Sequence, residues 1–558
     1  MVKLPKDPEL LSDPFLQRPT DATVNVVWFT EFAGDRHLVE YGDSLEAQPA
    51  TTTLLSRTRE DPPEAAEESA AAPRAPIRRT IWRHEATIPD LEPGQRVPYR
   101  VVSIADNRRI ESDTYALAPL PPADAPLKIL LTSDHQQKPM TPANLEKVVE
   151  TVGQVDAVFM AGDLVNVPDR ASEWFDGDGG FFKALQGKAK GELTHDDVTT
   201  TYGGGAIIQS APLFPAVGNH EVMGRVSSKS LGDQFNDPVP RAIAAQRYRQ
   251  QASAINPTGD PAVREAWLKA QSFNIDTYQE IFTLPESPSG GAKYYALTFG
   301  DVRLVSLYIT NIWRRPSLNP DTQGRYRERD GDLDNPENWG YGQHIFEAVG
   351  PGSPQYEWLQ QELSSPEWQQ APYRVVMFHH PPHSLGDNIV PAYTDPVQII
   401  DELPDGKIKS VRYEYPQSAD YLTQHVLPLL EAADADLVFY GHDHIWNRFV
   451  SPSGMHFLET SNVGNTYGAS WKNKRRNVPI GFQESYPPLG DPNGLEPVVP
   501  TLEPLMDDDG EPQPFVASNE ITVFSILDTE QGTVSSYRFD TREPDSPVVK
   551  FDEFALEP

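Results

Sequence analysis

The chain has 558 residues, 38% of them hydrophobic, so it can bury at least one large core and is expected to form two or three domain-sized units. Its 47 basic and 81 acidic residues give a formal net charge of −34, which argues against general nucleic-acid binding and against binding to anionic membranes. The lack of any cysteine excludes disulfides, thiolate chemistry and cysteine-ligated zinc.

The amino-terminal residues 1–9 contain no apolar segment of the kind found in signal peptides, and no apolar run approaches membrane-spanning length. The sequence therefore predicts a soluble protein with no membrane partner, cytoplasmic as written. An extracytoplasmic location stays open if the sequence is a trimmed form.

The first part of the chain shows short alternating patterns, at residues 23–30 and 97–101, that are typical of half-buried antiparallel strands. They predict a small β-sandwich over residues 20–117. Within it, residues 57–79 are mostly Ala, Pro, Glu and Arg, which predicts a solvated loop or a disordered insertion. The proline-rich stretch 117–124 predicts a stiff linker after the sandwich.

From about residue 126 to 545, longer apolar strands alternate with helical stretches, which indicates a second domain of the α/β class. Helices are predicted over residues 145–152, 355–363 and 421–433. Long polar or mixed insertions separate the strands, and such loops usually control substrate access; they span roughly residues 168–210, 222–290 and 315–350.

Five apolar runs in this second domain each end abruptly in polar residues of metal-ligand type. Short continuous apolar runs fit strands buried on both faces, and ligands collect at the carboxyl ends of such strands. The runs lead to Asp134, to Asp163, to Asn219 and His220, to His379, and to His442 and His444. Together they predict one convergent site.

The segment Gly441-His442-Asp443-His444 is the centre of this pattern, because it places two histidines two residues apart directly after an apolar run. Neutral imidazole is the commonest metal ligand in proteins. Alone, the segment also fits a solvated loop that happens to hold two histidines. The four other strand ends favour the metal site.

The residue types suit two adjacent metal ions. Asp163, at the most central motif, is the best candidate for a carboxylate that bridges both ions. Oxygen and nitrogen donors favour zinc, manganese or iron, and two such ions can clamp a phosphoryl group. The remaining candidate ligands are Asp134 and His444 for one ion, and Asn219, His379 and His442 for the other.

Three further histidines lie beside the candidate ligands. His220 follows Asn219 directly and suits a general acid or a hydrogen-bond donor to the transition state, or else a structural histidine fixed by Glu221. His380 and His383 either contact substrate or are turn histidines packed by the adjacent prolines. Both interpretations stay open.

This ordered set of motifs resembles the calcineurin-like metallophosphoesterase superfamily. Four further segments are similar to purple acid phosphatases: residues 26–30 and 39–42 resemble their fibronectin-III-like domain, and residues 294–300 and 355–363 resemble their catalytic domain. The resemblance covers most of residues 20–450. It implies an αββα sandwich preceded by a fibronectin-III-like β-sandwich, with a dinuclear centre of divalent or trivalent ions that hydrolyses phosphate esters by a metal-bound hydroxide.

Two positions depart from the purple acid phosphatase pattern. Asn166 stands where that family has a tyrosinate ligand, so the protein is predicted not to be purple. Gln136 stands where related proteins have glycine or histidine, and its amide oxygen is a candidate ligand, with His135 as the alternative. Asn166 is also retained as a candidate ligand. The metal pair and the pH optimum therefore do not carry over.

The sequence predicts a metal-dependent phosphomonoesterase, similar to acid phosphatases, that acts on a small phosphorylated substrate. One alternative is a phosphodiesterase that acts on nucleotides or lipid head groups. Another is a non-catalytic, metal-stabilised protein whose β-sandwich binds a partner, although a histidine such as His220 beside the ligands argues against it. The oligomeric state is left open. A basic run fits a solvated loop or a phosphate-binding loop: Lys472, Lys474, Arg475 and Arg476.

Overall fold

The computed structural model describes residues 8–62, 75–389, 392–476 and 487–556. Most of the predicted insertion at 57–79, residues 63–74, therefore lies outside the described residues. No helix within the described ranges has both the length and the apolar character needed to cross a membrane.

The amino-terminal part forms two antiparallel sheets, in the orders β1-β2-β8-β5 and β10-β9-β3-β4, with β11 also paired to β9. Val26 and Trp28 of the first sheet and Val101 of the second are fully buried in one shared core. The strands are β1 (Phe15–Gln17), β2 (Val24–Thr30), β3 (Arg36–Tyr41), β4 (Glu46–Pro49), β5 (Thr51–Leu54), β6 (Arg59–Glu60), β7 (Ile77–Arg78), β8 (Trp82–Ile88), β9 (Val97–Ala105), β10 (Arg108–Glu111) and β11 (Tyr115–Leu117). The strands predicted at residues 23–30 and 97–101 are confirmed, whereas the domain boundaries and the fibronectin-III-like assignment stay predictions.

The larger part contains strands and helices in alternation. Its strands are β12 (Lys128–Thr132), β13 (Ala157–Met160), β14 (Gly191–His195), β15 (Val198–Tyr202), β16 (Leu213–Pro215), β17 (Tyr295–Phe299), β18 (Val302–Ser306), β19 (Tyr373–Met377), β20 (Val397–Glu402), β21 (Ile408–Glu414), β22 (Leu437–Tyr440), β23 (Trp446–Val450), β24 (His456–Thr460), β25 (Phe515–Val516), β26 (Ile521–Asp528), β27 (Thr533–Asp540) and β28 (Val549–Ala555). Its α-helices are α1 (Thr141–Val152), α2 (Ala171–Phe175), α3 (Phe181–Leu185), α4 (Leu231–Phe235), α5 (Arg241–Ile255), α6 (Pro261–Gln271), α7 (Asp276–Ile281), α8 (Pro354–Glu362), α9 (Pro366–Gln370) and α10 (Leu427–Ala432).

Two large sheets organise this part. One has the order β16-β13-β12-β26-β27-β28 and the other the order β17-β18-β19-β22-β24-β23-β25. Both sheets contribute to one buried core, for example Phe159 from the first and Met377 from the second. In β19, Val376 directly precedes Met377. It therefore faces the opposite side of the sheet and packs with residues of α8, α9 and α10. The predicted mixed α/β class is confirmed.

The strands that carry the predicted motifs run parallel within each sheet. In the first sheet β13 pairs in parallel with β12 and with β16, and in the second β19 pairs in parallel with β22. Parallel neighbours present their carboxyl ends at the same edge. The polar residues that follow all five strands are therefore brought to one side of the two sheets.

The flanks of the predicted solvated segment are anchored instead of solvated. Arg57 forms an ion pair of 3.1 Å with Asp169, and Arg59 pairs with the same carboxylate, which is fully buried. The hydroxyl of Thr277 also donates to Asp169, at 2.7 Å. Farther along, Arg79 pairs with Asp176. The expectation of a loop in solvent was wrong here because these arginines have carboxylate partners on the larger part of the chain.

Two of the three predicted helices agree with the structure, since α1 and α8 match them to within a few residues. The third differs in its first half, where Leu422–Val426 is a π-helical segment that continues into α10. Pro428 explains the difference: it has no backbone N–H to donate, and its ring collides with the carbonyl four residues earlier in a regular α-helix.

Candidate metal centre

The loops at the ends of the motif strands hold an unusual backbone. Five of the candidate residues have positive φ angles: Asp134 (57°), Gln136 (44°), Asp163 (56°), His442 (86°) and His444 (56°). Left-handed conformations are uncommon for non-glycine residues, and they cluster at functional sites because the surrounding structure must hold them. The concentration of this backbone conformation at ligand-type residues, together with the chemistry of their side chains, points to one functional site.

Two motif glycines allow the loops to approach each other. A Cβ atom on Gly162 would lie 2.7 Å from the backbone nitrogen of Gly218 and 2.9 Å from Nδ1 of His379. A Cβ atom on Gly441 would lie 2.3 Å from Oδ2 of Asp134. No side chain fits at either position without moving the site.

The closest group consists of one carboxylate, one amide and two imidazoles. Nε2 of His379 lies 3.1 Å from Oδ2 of Asp163, 3.1 Å from Oδ1 of Asn219 and 3.2 Å from Nδ1 of His442. The Asn219 oxygen is also 3.1 Å from Nδ1 of His442. All four residues are buried. The structure thus brings together four of the predicted ligands.

The tautomer of His379 makes this group suited to a cation. Its Nδ1 donates to the carbonyl oxygen of Ala161 at 2.8 Å, because a carbonyl oxygen can only accept, so Nε2 of the neutral ring carries a lone pair. Burial lowers the pKa of His379, but the facing Asp163 carboxylate overcomes this and raises it to about 9. A proton on Nε2 thus supplies positive charge to the acceptors around it, and a divalent metal ion, which the nitrogen and oxygen ligands fit, can take the place of that proton.

A second group lies around Asp134. Nε2 of His444 is 3.5 Å from Oδ1 of Asp134, and Nδ1 of His444 donates to the carbonyl of Asn465 at 2.9 Å. The lone pair of the neutral ring therefore faces the carboxylate, as in the first group. The backbone nitrogen of His442 donates to Oδ2 of Asp134 at 3.0 Å and links the two groups.

Gln136 and Asn166 lie beside these two groups, and their side-chain amides already donate hydrogen bonds. Nε2 of Gln136 donates to Oδ2 of Asp163 at 3.2 Å, and Nδ2 of Asn166 donates to the main-chain carbonyl of Gln136 at 2.7 Å. His135, the alternative to Gln136, instead shares a hydrogen bond of 3.0 Å with Thr132. Of the two alternatives, the structure places Gln136 at the centre.

His220 lies at the edge of the group. Its backbone nitrogen donates to Oδ1 of Asp163 at 2.9 Å, and its Nδ1 donates to the carbonyl oxygen of Asn166 at 2.7 Å. Nε2 is left 4.0 Å from Oδ2 of Asp163. The ring stacks on Phe235, with 4.9 Å between the ring centroids.

The structural interpretation of His220 expected Glu221 to hold the imidazole ring, but Glu221 does not do so. Its carboxylate instead accepts hydrogen bonds from three backbone N–H groups, those of Gly218 (2.7 Å), Asp163 (2.9 Å) and Leu164 (2.8 Å). Burial, and then the neighbouring Asp163, raise the pKa of Glu221 to about 8. The residue ties two of the motif loops to each other.

The structure separates the other two predicted substrate histidines. His383 shares a hydrogen bond of 2.7 Å with Asp491 and packs edge-on against Phe457, outside the candidate metal groups. His380 is buried with its ring centroid 4.9 Å from that of His442, and neither of its ring nitrogens has a hydrogen-bond partner among the described residues. Burial, and then His379, lower the pKa of His380 to about 3. The packed-turn interpretation fits His383 better than substrate contact does.

Sequence reasoning missed two buried charged residues near the site. Nζ of Lys138 is buried without a hydrogen-bond partner in the described part of the chain, and burial lowers its pKa to about 8. The carboxylate of Glu173 accepts from the backbone nitrogens of Asn166 and Val167, at 2.5 and 2.9 Å. Neither residue belongs to a short motif, so only the folded chain reveals them. In the basic run, Lys472 pairs with Asp507 and Lys474 donates to the carbonyl of Tyr467, so these two ammonium groups already have partners.

A cavity of about 230 Å³ opens onto the candidate metal groups. It is lined by Asp163, Asn219, His220, Val222, Phe235, Asn236, Pro238, Ile312, Trp313, Phe346, Asn388, His442, His444 and Tyr467. Nitrogen and oxygen ligands at its base and aromatic side chains above them give a site where a small molecule can meet a bound metal ion.

The family comparison agrees with this geometry. The model of the family described as calcineurin-like phosphoesterase matches residues 127–446, which is more than half of the chain and includes every motif from Asp134 to His444. A comparison with curated proteins gives no match. The buried cluster of Asp163, His379 and His442 is what a family that typically binds divalent metals requires. The chain therefore belongs to the calcineurin-like phosphoesterase family, which implies a metal-dependent phosphoesterase.

Proposed function

We propose that this protein hydrolyses small phosphate esters, in the first place monoesters, at a centre that binds two metal ions. The single observation that carries the proposal is the convergence of four ligand-type atoms, from Asp163, Asn219, His379 and His442. Nε2 of His379 lies 3.1–3.2 Å from the other three, and Oδ1 of Asn219 lies 3.1 Å from Nδ1 of His442. A metal ion among these atoms would bind their lone pairs in place of the protons that the imidazoles otherwise hold.

The residues present would hold two ions in the following way. Asn219, His379 and His442 would bind one ion, Asp134 and His444 the other, and Asp163 both, with Gln136 and Asn166 as further candidates. Oxygen and nitrogen ligands suit zinc, manganese or iron. When bound, the ions would supply Lewis-acid activation of water and of the phosphoryl oxygens.

His220 would donate a proton, or a hydrogen bond, to the leaving oxygen from its Nε2 atom. The hydrogen bond from Nδ1 to the carbonyl of Asn166 fixes the ring, so that Nε2 is the atom directed toward Asp163 and the cavity. A positioned acid that needs no reorientation is the arrangement that general acid catalysis requires. Glu221 acts through the backbone that it holds and is a positioning residue.

The closeness to purple acid phosphatases and the fibronectin-III-like identity of the amino-terminal sandwich are part of the same proposal. The two antiparallel sheets around Trp28 support it. The proposed limits are residues 20–117 for the sandwich and 126–545 for the catalytic domain, although β1 begins earlier, at Phe15.

The alternatives make different demands on the site. A phosphodiesterase would use the same ligands and differ only in the charge of its substrate. A non-catalytic binding protein would have no use for His220, whose two ring nitrogens are divided between Asn166 and the cavity. We therefore place hydrolysis first.

The test is metal analysis of the purified protein followed by turnover of an aryl phosphate monoester and of the corresponding diester. Metal-dependent hydrolysis of the monoester, lost on chelation and restored by zinc, manganese or iron, is the expected result. Faster turnover of the diester would favour the phosphodiesterase. Fully metal-loaded protein that hydrolyses neither ester would contradict the proposal.

A further inference from the structure

We infer that the alcohol side of the substrate is a small aromatic group without negative charge, bound against an aromatic wall formed by Phe235, Trp313, Phe346 and Tyr467. This inference rests on the proposed phosphoesterase function and specifies its substrate class. The wall lines the same cavity as the candidate ligands and His220. A group that leaves from a phosphate held there must therefore lie beside it.

The wall contacts the candidate machinery directly. The ring of Phe235 stacks on His220 at 4.9 Å and 26° between the planes. The ring of Tyr467 stacks on His444 at 5.6 Å and 19°. Flat apolar surfaces thus continue outward from two of the histidines at the base. The negatively polarised faces of such rings favour stacking with another ring over contact with a flexible chain or an anionic group.

The polarity of the cavity disfavours a polyanionic leaving group. No lysine or arginine lines it within the part of the chain that the structure describes. Its other lining residues include the apolar Val222, Pro238 and Ile312. A polyphosphate would need cationic side chains in addition to the metal ions, and the formal charge of −34 would oppose its approach.

Two cationic residues near the cavity hold the wall instead of facing it. Arg314 is buried and donates to the carbonyl oxygens of Asn236 and Pro238, at 2.7 and 3.2 Å, directly after Phe235 in the chain. Nζ of Lys474 donates to the carbonyl of Tyr467 at 2.5 Å. Lys474 thus holds the main chain of Tyr467, and Arg314 holds the segment that follows Phe235, which fixes these two parts of the wall.

The indole of Trp313 is fixed in a similar way. Its Nε1 donates to Oδ1 of Asn388 at 3.1 Å, and both residues line the cavity. Tyr467 is 48% exposed and forms the outer part of the wall, whereas Phe346 is 7% exposed. The cavity of about 230 Å³ is smaller than the roughly 300–1,000 Å³ of pockets for drug-sized ligands, so one small ring system fits the space available.

The experiment compares two monoesters whose alcohols have similar acidity, phenyl phosphate and hexafluoroisopropyl phosphate, on the metal-loaded full-length protein. We expect kcat/KM to be at least about tenfold higher for the phenyl ester, because a stacked ring contributes binding that the alkyl group cannot. Tyr467→Leu and Trp313→Leu should each lower kcat/KM for the phenyl ester several-fold, mainly through KM, and narrow the difference between the esters. Tyr467→Phe should retain the preference, because it keeps the ring.

Trp267→Leu is the matched control, since Trp267 packs on Tyr248 and does not line the cavity. Equal kcat/KM for the two esters in the wild-type protein, or an equal loss for both esters in the Tyr467→Leu and Trp313→Leu variants, would overturn the inference while leaving the phosphoesterase function intact. Hydrolysis of neither ester would overturn both.

Discussion

The Nδ1 atom of His220 donates a hydrogen bond of 2.7 Å to the main-chain carbonyl oxygen of Asn166. This bond leaves Nε2 as the atom available to a substrate. We expect His220→Ala to lower kcat by about 10²–10⁴-fold without changing the metal content, and by more for poor leaving groups than for good ones. A series of aryl phosphates of graded acidity, with metal analysis of each preparation, measures this.

His195→Ala is a suitable control, because His195 lies on the hairpin strand β14 away from the cavity. A loss of equal size across the leaving groups would assign His220 to stabilisation of transition-state charge. An unchanged kcat would return it to a structural role.

Asp163 is expected to be essential for metal binding. Its carboxylate is buried and contacts His379, Gln136 and the backbone of His220. Asp163→Asn removes the charge that a bridging ligand supplies, so bound metal should fall well below that of the wild-type protein and turnover should be abolished. Metal analysis beside the assay tests this, with the exposed Asp405→Asn as control. Full metal content with normal turnover would refute the two-metal arrangement.

Glu221→Gln should separate loop positioning from catalysis. A glutamine has one acceptor oxygen and would turn its NH₂ group toward at least one of the backbone donors that Glu221 now satisfies. An unsatisfied buried donor costs roughly 1–3 kcal/mol of stability. We expect lower thermal stability together with weaker metal affinity, measured by calorimetry and metal titration. Glu414→Gln, at an exposed strand position, should change neither quantity.

Sequence patterns predicted the base of the site but not its walls. The ligand-type residues follow continuous apolar runs, and parallel pairing then requires that they meet, so Asp163 and His379 could be placed without coordinates. Phe235 and Tyr467 lie in segments with no periodic pattern, and nothing local indicates that they stack on His220 and His444. Likewise, the sequence alone predicts that Arg59 is solvated, because charged residues are mostly exposed unless they are paired. Only the folded chain shows its buried partner, Asp169.

The amino-terminal sandwich should lose stability in mild acid. His84 is buried, stacks on His37 with 3.5 Å between centroids, and shares hydrogen bonds with Thr30 and Thr52. Burial, and then the neighbouring His37 and Arg83, lower its pKa from 6.5 to about 2. Below pH 6.5 the unfolded chain therefore binds a proton that the folded chain does not. The free energy of unfolding should fall as the pH drops, by roughly 2 kcal/mol at pH 5.

His84→Gln removes this titration and keeps a donor and an acceptor for the two threonines. Urea unfolding at pH 7 and pH 5, followed by circular dichroism, should show a smaller acid-induced shift of the midpoint in the variant than in the wild-type protein. Identical shifts would mean that other groups cause the acid sensitivity.

The metal-replete protein should not be purple, because the colour of purple acid phosphatases needs a tyrosinate bound to ferric iron. Asn166 occupies the corresponding position, and its amide contacts the main chain of Gln136. Asn166→Tyr, reconstituted with ferric iron, should gain an intense visible absorption band. If the variant binds iron fully and stays colourless, position 166 does not face the metal. A strong band in the wild-type protein that disappears on replacement of another tyrosine would contradict the prediction directly.

The ion pairs at Asp169 bear on whether the two parts of this chain can be separated in evolution. The carboxylate of Asp169 is fully buried, and Arg57 and Arg59, which pair with it, come from the amino-terminal part of the chain. Excision at the proline-rich linker would remove both arginines from that carboxylate and leave the hydrogen bond from Thr277. Loss of the ion pairs would lower the stability of the larger part. We therefore expect the two parts of the chain to be retained together when either is exchanged between proteins.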